Sequence, residues 1–127
     1  MAAVIYLDTH VVAWLYAGKT EELSDACRQR LEEDEAVVSP MVVLELDYLF
    51  ETKRVSEPAA VVLDEMRSLL AIAVCDLPFS NVVAEARRQT WTRDPFDRII
   101  VGQAAVRGAA LLTRDRSIRR HYPSAVW

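Results

Sequence analysis

Residues 3–18 read AVIYLDTHVVAWLYAG, in which a single acid joins a short apolar run to a longer, helix-like one. The apolar run Ala2–Leu7 is rich in β-branched residues and is typical of a buried strand. A helix is expected from Thr9 to about Ala17, and Gly18 is expected to end it. A strand that leads through an acid into a helix is the repeating unit of parallel sheets, so this segment favours the α/β class.

The rest of the chain continues the alternation of strands and helices. Further strands are predicted at Ala36–Ser39, Ala71–Cys75 and Ala109–Thr113, and the tail Ser124–Trp127 could add an edge strand. Further helices are predicted over Asp25–Glu35 with Ser24 as the cap, from Pro40 to about Arg54, from Pro58 to Leu70, from a Ser80 cap to about Trp91, from Asp94-Pro95 to Gly108, and around Arg116–Arg120. This order predicts one domain over residues 1–127, an α/β sandwich around a mainly parallel sheet with right-handed crossovers.

Composition and charge narrow the class of protein. The chain has 127 residues, 52% of them hydrophobic and 27% charged, which suits one folded domain with a single core. The start MAAVIYLD is too short to span a bilayer and lacks a basic leader, so we expect a cytoplasmic protein with no signal peptide. Cys27 and Cys75 are far apart and are expected to be ordinary buried thiols.

The net charge of −4 is unevenly distributed, with −8 for residues 1–64 and +4 for residues 65–127. The second half of the chain could therefore face a polyanion.

Two acids directly follow predicted strands, and two more lie early in predicted helices. Asp8 and Asp115 belong to the first pair, and Glu45 and Asp97 to the second. Because open α/β sheets bind their ligands at the carboxyl ends of the strands, all four could converge on one cleft. Each also has a simpler structural explanation. Asp8 and Asp115 could cap the helices that follow them, and Asp97 could favour the dipole of a helix that Asp94 caps.

Glu45 is the most informative acid because helical spacing surrounds it with apolar residues, among them Val42, Leu46 and Leu49. Burying an unpaired carboxylate costs several kcal/mol, so Glu45 requires a cation, a proton or a metal ion nearby. A structural ion pair with an arginine is the alternative. Asp47, on the opposite face of the same helix, is expected to be solvated.

Four carboxylates in one cleft would repel one another unless a hard divalent cation lay between them. Ligands that are all oxygen suit Mg²⁺ or Mn²⁺ better than zinc, and such ions serve phosphodiester chemistry without a protein nucleophile. Neither His10 nor His121 is placed with a serine or cysteine in a hydrolase-like arrangement, so His10 is expected to be a packing or groove residue. There is no glycine-rich phosphate loop.

Five segments together carry a family resemblance. They are LDTHVVAWL at 7–15, SPMVVLEL at 39–46, RDPFDRIIVGQA at 93–104, LLTRD at 111–115 and the closing HYPSAVW. In this order they resemble a PIN domain of the VapC toxin type over essentially the whole chain. The resemblance implies a Rossmann-like α/β/α sandwich and a Mg²⁺- or Mn²⁺-dependent endoribonuclease that leaves 5′-phosphate and 3′-hydroxyl ends. It also implies a homodimer and a small VapB-type antitoxin that lays a segment into a groove.

The same resemblance assigns roles to individual residues. The acids of the family's metal-binding catalytic site correspond to Asp8, Glu45, Asp97 and Asp115, and Thr113 matches a hydroxyl residue that supports the site. Four arginines lie near these acids in the sequence and could hold RNA phosphates: Arg93, Arg98, Arg114 and Arg116. Arg98 could equally bridge to an acid within the fold. The tail has Ser124 where relatives often carry glycine, which affects nothing catalytic.

Three other classes of protein are alternatives to this one. A receiver domain needs an acidic pair after the first strand and a lysine after the last, but this chain has Asp8-Thr9 and Arg114-Asp115. An aspartyl phosphatase needs a D-x-D motif, and His10 stands at its second acidic position. A PIN domain nuclease of general RNA processing, with the same chemistry and no toxicity, remains the alternative.

Overall fold

Five short strands form one all-parallel sheet in the computed structural model, which describes residues 2–127. They are β1 (Val4–Leu7), β2 (Glu35–Val38), β3 (Ala73–Val74), β4 (Ala110–Leu112) and β5 (Ala125–Val126). Their order in the sheet is β3-β2-β1-β4-β5, so the first strand of the chain lies at the centre. Tyr6 of β1 is in register with Val37 on one side and Leu111 on the other.

Within the described part of the chain, seven helices connect and flank these strands. They are α1 (Thr9–Tyr16), α2 (Asp25–Glu33), α3 (Pro40–Glu51), α4 (Ala59–Leu70), α5 (Phe79–Ala86), α6 (Pro95–Arg107) and α7 (Arg116–His121), with a 3-10 turn at Thr20–Glu22. The central strand supplies fully buried Ile5 and Leu7 to the core, and Val42 and Leu46 of α3 join them. Within residues 2–127, no helix combines the length and apolar character that a membrane span requires. The α/β sandwich with a parallel sheet, including the edge strand at the tail, is confirmed.

Several predicted boundaries were wrong, and the backbone shows why. The second helix ends at Glu33 rather than Glu35, because Asp34 is extended and Glu35 already pairs with Val4 of β1. The third ends at Glu51 rather than near Arg54, since the chain turns through a left-handed Lys53 with φ of 64°. The third strand is confined to Ala73–Val74 because Ala71 caps α4 in the left-handed conformation.

Two predictions about individual side chains were also wrong. Ser80 does not cap α5. This helix begins at Phe79 with Pro78 as its N-cap, and it ends at Ala86 rather than near Trp91. Asp47 is not simply solvated, because its carboxylate accepts a hydrogen bond of 2.9 Å from the backbone N–H of Ala59. Since Pro58 stands at the N-cap of α4 and offers no side-chain oxygen, Asp47 of α3 supplies the missing acceptor.

Candidate active site

Asp8 lies at the carboxyl end of the central strand and is almost fully buried, with 6% of its surface exposed. One carboxylate oxygen accepts a hydrogen bond of 2.8 Å from the backbone N–H of Thr9, at the start of α1. The other accepts 2.6 Å from the hydroxyl of Thr113, which follows the neighbouring strand β4. Burial raises the pKa of Asp8, while these two hydrogen bonds act in the opposite direction. Asp8 therefore does cap α1, and its orientation is fixed from two elements at once.

Thr9 is a polar residue of this site that the sequence analysis did not identify. It is fully buried, and its hydroxyl donates to the carboxylate of Glu45 on α3. Its backbone N–H and its side chain thus connect Asp8 to Glu45. The sequence showed only that a hydroxyl residue directly follows the strand-end acid Asp8. It could not show that this hydroxyl contacts Glu45, because Glu45 lies 36 positions away in the sequence.

Glu45 is half-buried and obtains no arginine partner among residues 2–127, so the structural ion pair considered as its alternative is not formed. Burial raises the pKa of Glu45, the hydrogen bond from Thr9 lowers it, and the charge of Asp8 raises it further. Among residues 2–127, the one side chain that donates a hydrogen bond to the Glu45 carboxylate is Thr9, a neutral hydroxyl. A negative charge at Glu45 therefore still requires a proton or a cation.

Asp97 and Asp94 occupy the first turn of α6 in the predicted arrangement. Asp94 is the N-cap, and its carboxylate accepts from the backbone N–H groups of Phe96 at 2.8 Å and Asp97 at 3.4 Å. The side chain of Asp97 is half-buried and takes no part in that cap. Burial, followed by the charges of four neighbouring carboxylates, raises the pKa of Asp97 to about 7. Three of those four neighbours are the other predicted site acids, so the four acids share one electrostatic environment.

Asp115 is the most exposed of the four acids. It caps α7 by accepting 2.9 Å from the backbone N–H of Ile118, and its own N–H donates to the hydroxyl of Thr113 at 3.1 Å. Thr113 thus contacts both strand-end acids. The cap occupies only one carboxylate oxygen of Asp115, so it leaves the other oxygen available for the predicted role in the site.

A second buried contact joins the helices that carry Glu45 and Asp97. Ser39 caps α3, and its hydroxyl also donates 2.9 Å to the amide oxygen of Gln103 on α6. Both side chains have 1% of their surface exposed. This hydrogen bond, which the sequence analysis missed, holds α3 and α6 in one relative position.

The donor set of the cleft fits a hard divalent cation in its chemistry, because every side-chain donor is an oxygen. No group of three or more His, Cys, Asp or Glu side chains within residues 2–127 is arranged to hold a metal ion as the side chains stand. Mg²⁺ does not require such a cage, since it keeps several waters and takes one or two carboxylates together with substrate phosphates. Burial and then the charges of neighbouring carboxylates raise the pKa of Asp97, and a cation in the cleft would offset both effects.

The four arginines predicted to contact RNA differ in how many hydrogen bonds or ion pairs their guanidinium groups already form within the protein. Arg98 donates at 3.2 Å to the carbonyls of Ala86 and Arg87, which end α5, so it bridges to backbone rather than to an acid. Arg114 forms an ion pair of 3.1 Å with Glu22, and Arg93 donates 2.9 Å to the carbonyl of Thr90. Arg116 is exposed at the start of α7.

His10 lines two cavities that share one wall, in agreement with the prediction of a groove residue. A cavity of about 310 Å³ is lined by Asp8, His10, Trp14, Arg114 and Asp115. A second, of about 330 Å³, lies on α1, α3 and the start of α4, with His10, Trp14, Tyr16, Leu46 and Leu49 among its lining residues. The rings of His10 and Trp14 therefore contribute to both the acidic cleft and an adjoining apolar groove.

Comparison with known proteins gives a family match over most of the chain. The sequence model of the PIN domain family matches residues 5–122. Ribonuclease VapC22 of Mycobacterium tuberculosis is 33% identical over 129 aligned positions, which cover 97% of this chain and 98% of that protein.

Solved structures share the fold at lower sequence identity. A toxin-antitoxin complex from Klebsiella pneumoniae contains a chain that superposes with a TM-score of 0.66 at 17% identity, covering 99% of this chain and 97% of that one. VapBC2 from Rickettsia felis, bound to a DNA fragment from its promoter, gives 0.64 at 18% identity, covering 97% and 96%. At these identities the likeness establishes the fold alone.

Proposed function

The chain belongs to the PIN domain family, and from that premise we propose that it is a VapC-type ribonuclease toxin neutralised by a VapB-type antitoxin. The observation that carries this proposal is that the charges of Asp8, Glu45 and Asp115, which come from three other parts of the fold, all act on the pKa of Asp97. The likeness to ribonuclease VapC22 over nearly the whole of both chains supports the activity. The neighbouring folds in toxin-antitoxin complexes support the partner.

The four acids are proposed to hold Mg²⁺ or Mn²⁺. When bound, such an ion orients a phosphodiester, lowers the pKa of an attacking water and offsets charge on the leaving oxygen. Thr9 and Thr113 hold Asp8 in place before substrate arrives, which reduces the reorganisation needed in the reaction. Asp97 must lose its proton to act as a ligand. Its pKa of about 7 places this proton loss near neutral pH, and a nearby cation would favour it.

The proposed substrate is RNA, and the proposed partner covers the groove beside the acids. Arg93, Arg114 and Arg116 are exposed and are proposed to contact the phosphate backbone. The apolar groove of about 330 Å³ is proposed to receive a segment of the antitoxin. Because its wall includes His10 and Trp14, an occupant there would reach the edge of the acidic cleft. We further propose a cytoplasmic homodimer.

A cleavage assay tests the enzymatic part of the proposal. Purified protein incubated with total bacterial RNA should cleave it in Mg²⁺ or Mn²⁺ and leave it intact in excess chelator. Asp97→Asn should abolish cleavage while keeping the fold, because an asparagine side chain binds a hard cation poorly. Undiminished cleavage in chelator, or near-normal turnover by the variant, would contradict the assigned site.

An expression experiment separates the toxin from a processing nuclease. Expression of the wild type alone should arrest growth of a bacterial host, whereas Asp97→Asn should not, and co-expression of the cognate antitoxin should restore growth. Normal growth with soluble, RNA-cleaving protein would favour the processing enzyme.

A further inference from the structure

Aromatic side chains share a cavity with the acids of the cleft. His10 and Trp14 line the cavity of about 310 Å³ that also contains Asp8 and Asp115. His10 is exposed and Trp14 is partly buried against the core, so the two rings differ in how firmly they are held. Chemistry at a phosphodiester requires neither an indole nor an imidazole ring beside the carboxylates.

These rings belong to a small cluster whose members contact one another. The centroid of the Trp14 ring lies 6.0 Å from that of His10 and 5.9 Å from that of Trp127, the last residue of the chain. The guanidinium carbon of Arg114 lies 5.9 Å from the same centroid, and Arg114 is itself held by its ion pair with Glu22. Trp14 is therefore fixed by packing and by neighbours, which lowers the entropic cost of using its ring in binding.

We propose that His10 and Trp14 form a stacking site for one unpaired base of the RNA, next to the phosphodiester that the acids act on. This inference rests on the proposed function. Proteins that bind single-stranded RNA stack splayed bases on aromatic rings, and guanidinium groups assist because they are flat and cationic. Arg114 is well placed to contact the adjacent phosphate or the face of the same base, since it lines the same cavity.

A protein side chain is the other possible occupant of this cavity, but the combination of two aromatic rings with Arg114 favours a nucleotide. Arg114 provides a cation for a phosphate, and the aromatic rings provide flat apolar faces for a base. A nucleotide offers a phosphate and a flat base at adjacent positions, so it could engage both kinds of group at once.

Binding of RNA that lacks single bases tests this site without relying on turnover. All proteins carry Asp97→Asn so that the RNA stays intact, and affinity is measured by fluorescence anisotropy with a labelled single-stranded oligonucleotide. In a series of oligonucleotides, an abasic ribose replaces one nucleoside at each successive position. We expect one position, or two adjacent ones, to weaken binding by about 5- to 150-fold, the usual effect of losing one base–aromatic stack.

The ring variants should remove this sensitivity. His10→Ala and Trp14→Leu should bind intact RNA more weakly and should no longer distinguish it from the abasic oligonucleotide. His10→Phe and Trp14→Phe should keep much of the discrimination, because a flat ring remains. If the imidazole acted through its nitrogen atoms instead, His10→Phe would behave as His10→Ala and the stacking site would be refuted.

The chain offers a matched control pair of the same residue types. Trp91 and His121 stack with centroids 4.9 Å apart, and neither lines the cavity. Trp91→Leu and His121→Ala should therefore keep the full abasic penalty. Circular dichroism checks the fold of Trp14→Leu, and exposed His10 provides the test if that variant is destabilised.

Three further results would overturn the inference. One is an abasic series without a sensitive position, and another is a sensitive position that persists in His10→Ala and Trp14→Leu. The third is a loss of antitoxin affinity in the ring variants with an unchanged abasic series, which would assign the cavity to the protein partner. Failure of the proposed function appears separately, as intact RNA after incubation with the wild type and Mg²⁺.

Discussion

Replacing Asp97 with asparagine should change how the stability of the folded chain depends on pH. Burial, and then the charges of the surrounding carboxylates, raise the pKa of Asp97 from an ordinary 3.8 to about 7. Between these two values the folded chain binds a proton at Asp97 that the unfolded chain does not. The free energy of unfolding therefore falls as the pH rises from about 4 to about 7, and the proton contributes most at the acidic end.

The size of the effect follows from the pKa and from the exposure of the side chain. Each pKa unit corresponds to about 1.4 kcal/mol, but solvent screens this half-buried carboxyl group, so we expect a net loss of about 1–2 kcal/mol between pH 5 and pH 7.5. Asparagine has nearly the same shape and no charge. Asp94 still accepts the hydrogen bond from the backbone N–H of residue 97, so the helix cap is retained.

Urea denaturation of the wild type and Asp97→Asn in chelator, at several values between pH 5 and pH 7.5, measures the difference. The variant should be more stable than the wild type at pH 7.5, and the difference should shrink towards pH 5. Asp76→Asn, at an exposed position, serves as the control for removing one negative charge from the chain. A difference between Asp97→Asn and wild type that does not change with pH would refute the electrostatic interpretation of the cleft.

Further predictions concern the hydroxyl, the metal and the helix contact. Thr113→Val should destabilise the chain by about 1–3 kcal/mol in urea because buried Asp8 loses its partner, whereas Thr113→Ser should remain close to wild type, and equal losses would argue against the hydrogen bond. In thermal scans Mg²⁺ should stabilise the wild type by about 2.7 kcal/mol at a hundredfold excess over Kd, and Asp8→Asn should respond far less; matching curves would exclude Asp8 as a ligand. Gly102→Ala should destabilise α6 despite the better helix propensity of alanine, by about 1–3 kcal/mol, because its Cβ would lie 2.8 Å from the backbone nitrogen of Ala86 on α5. A stability equal to or above wild type would show that α5 can move away.

The bounds of a helix were predicted well where its start and its end each carried a clear local signal in the sequence. Helix α6 has Asp94-Pro95 at its start and Gly108 at its end, and the structure places the cap, the first turn and the left-handed stop at these residues. At α5 the prediction relied on Ser80 alone as the cap, and Pro78 stands at the N-cap instead. A local pattern cannot settle such a case, because the choice depends on how the helix packs.

The candidate site could be predicted from topology, but its supporting contacts could not. Acids that follow parallel strands must lie at one edge of the sheet, which is why Asp8 and Asp115 were identified from their positions. The bond from Thr9 to Glu45 spans 36 positions, and the bond from Ser39 to Gln103 spans 64. No periodicity or spacing rule reports such distant pairs, so these buried hydroxyl and amide groups became visible only in three dimensions.

The four acids differ in how firmly the fold holds them, and this difference suits their proposed use. Both oxygens of Asp8 accept hydrogen bonds from fixed groups, so its position is set by the strands. Asp97 carries no such restraint, and Asp115 is exposed with only one oxygen engaged in a cap. A cation could therefore bind first at Asp8 and draw the less restrained carboxylates towards it. This order of events would explain why, within residues 2–127, the oxygen donors suit a hard cation but are not already arranged around one. Under the proposed function, Asp8 would fix where the ion binds, and the less restrained Asp97 and Asp115 would complete the site together with water and a phosphate oxygen.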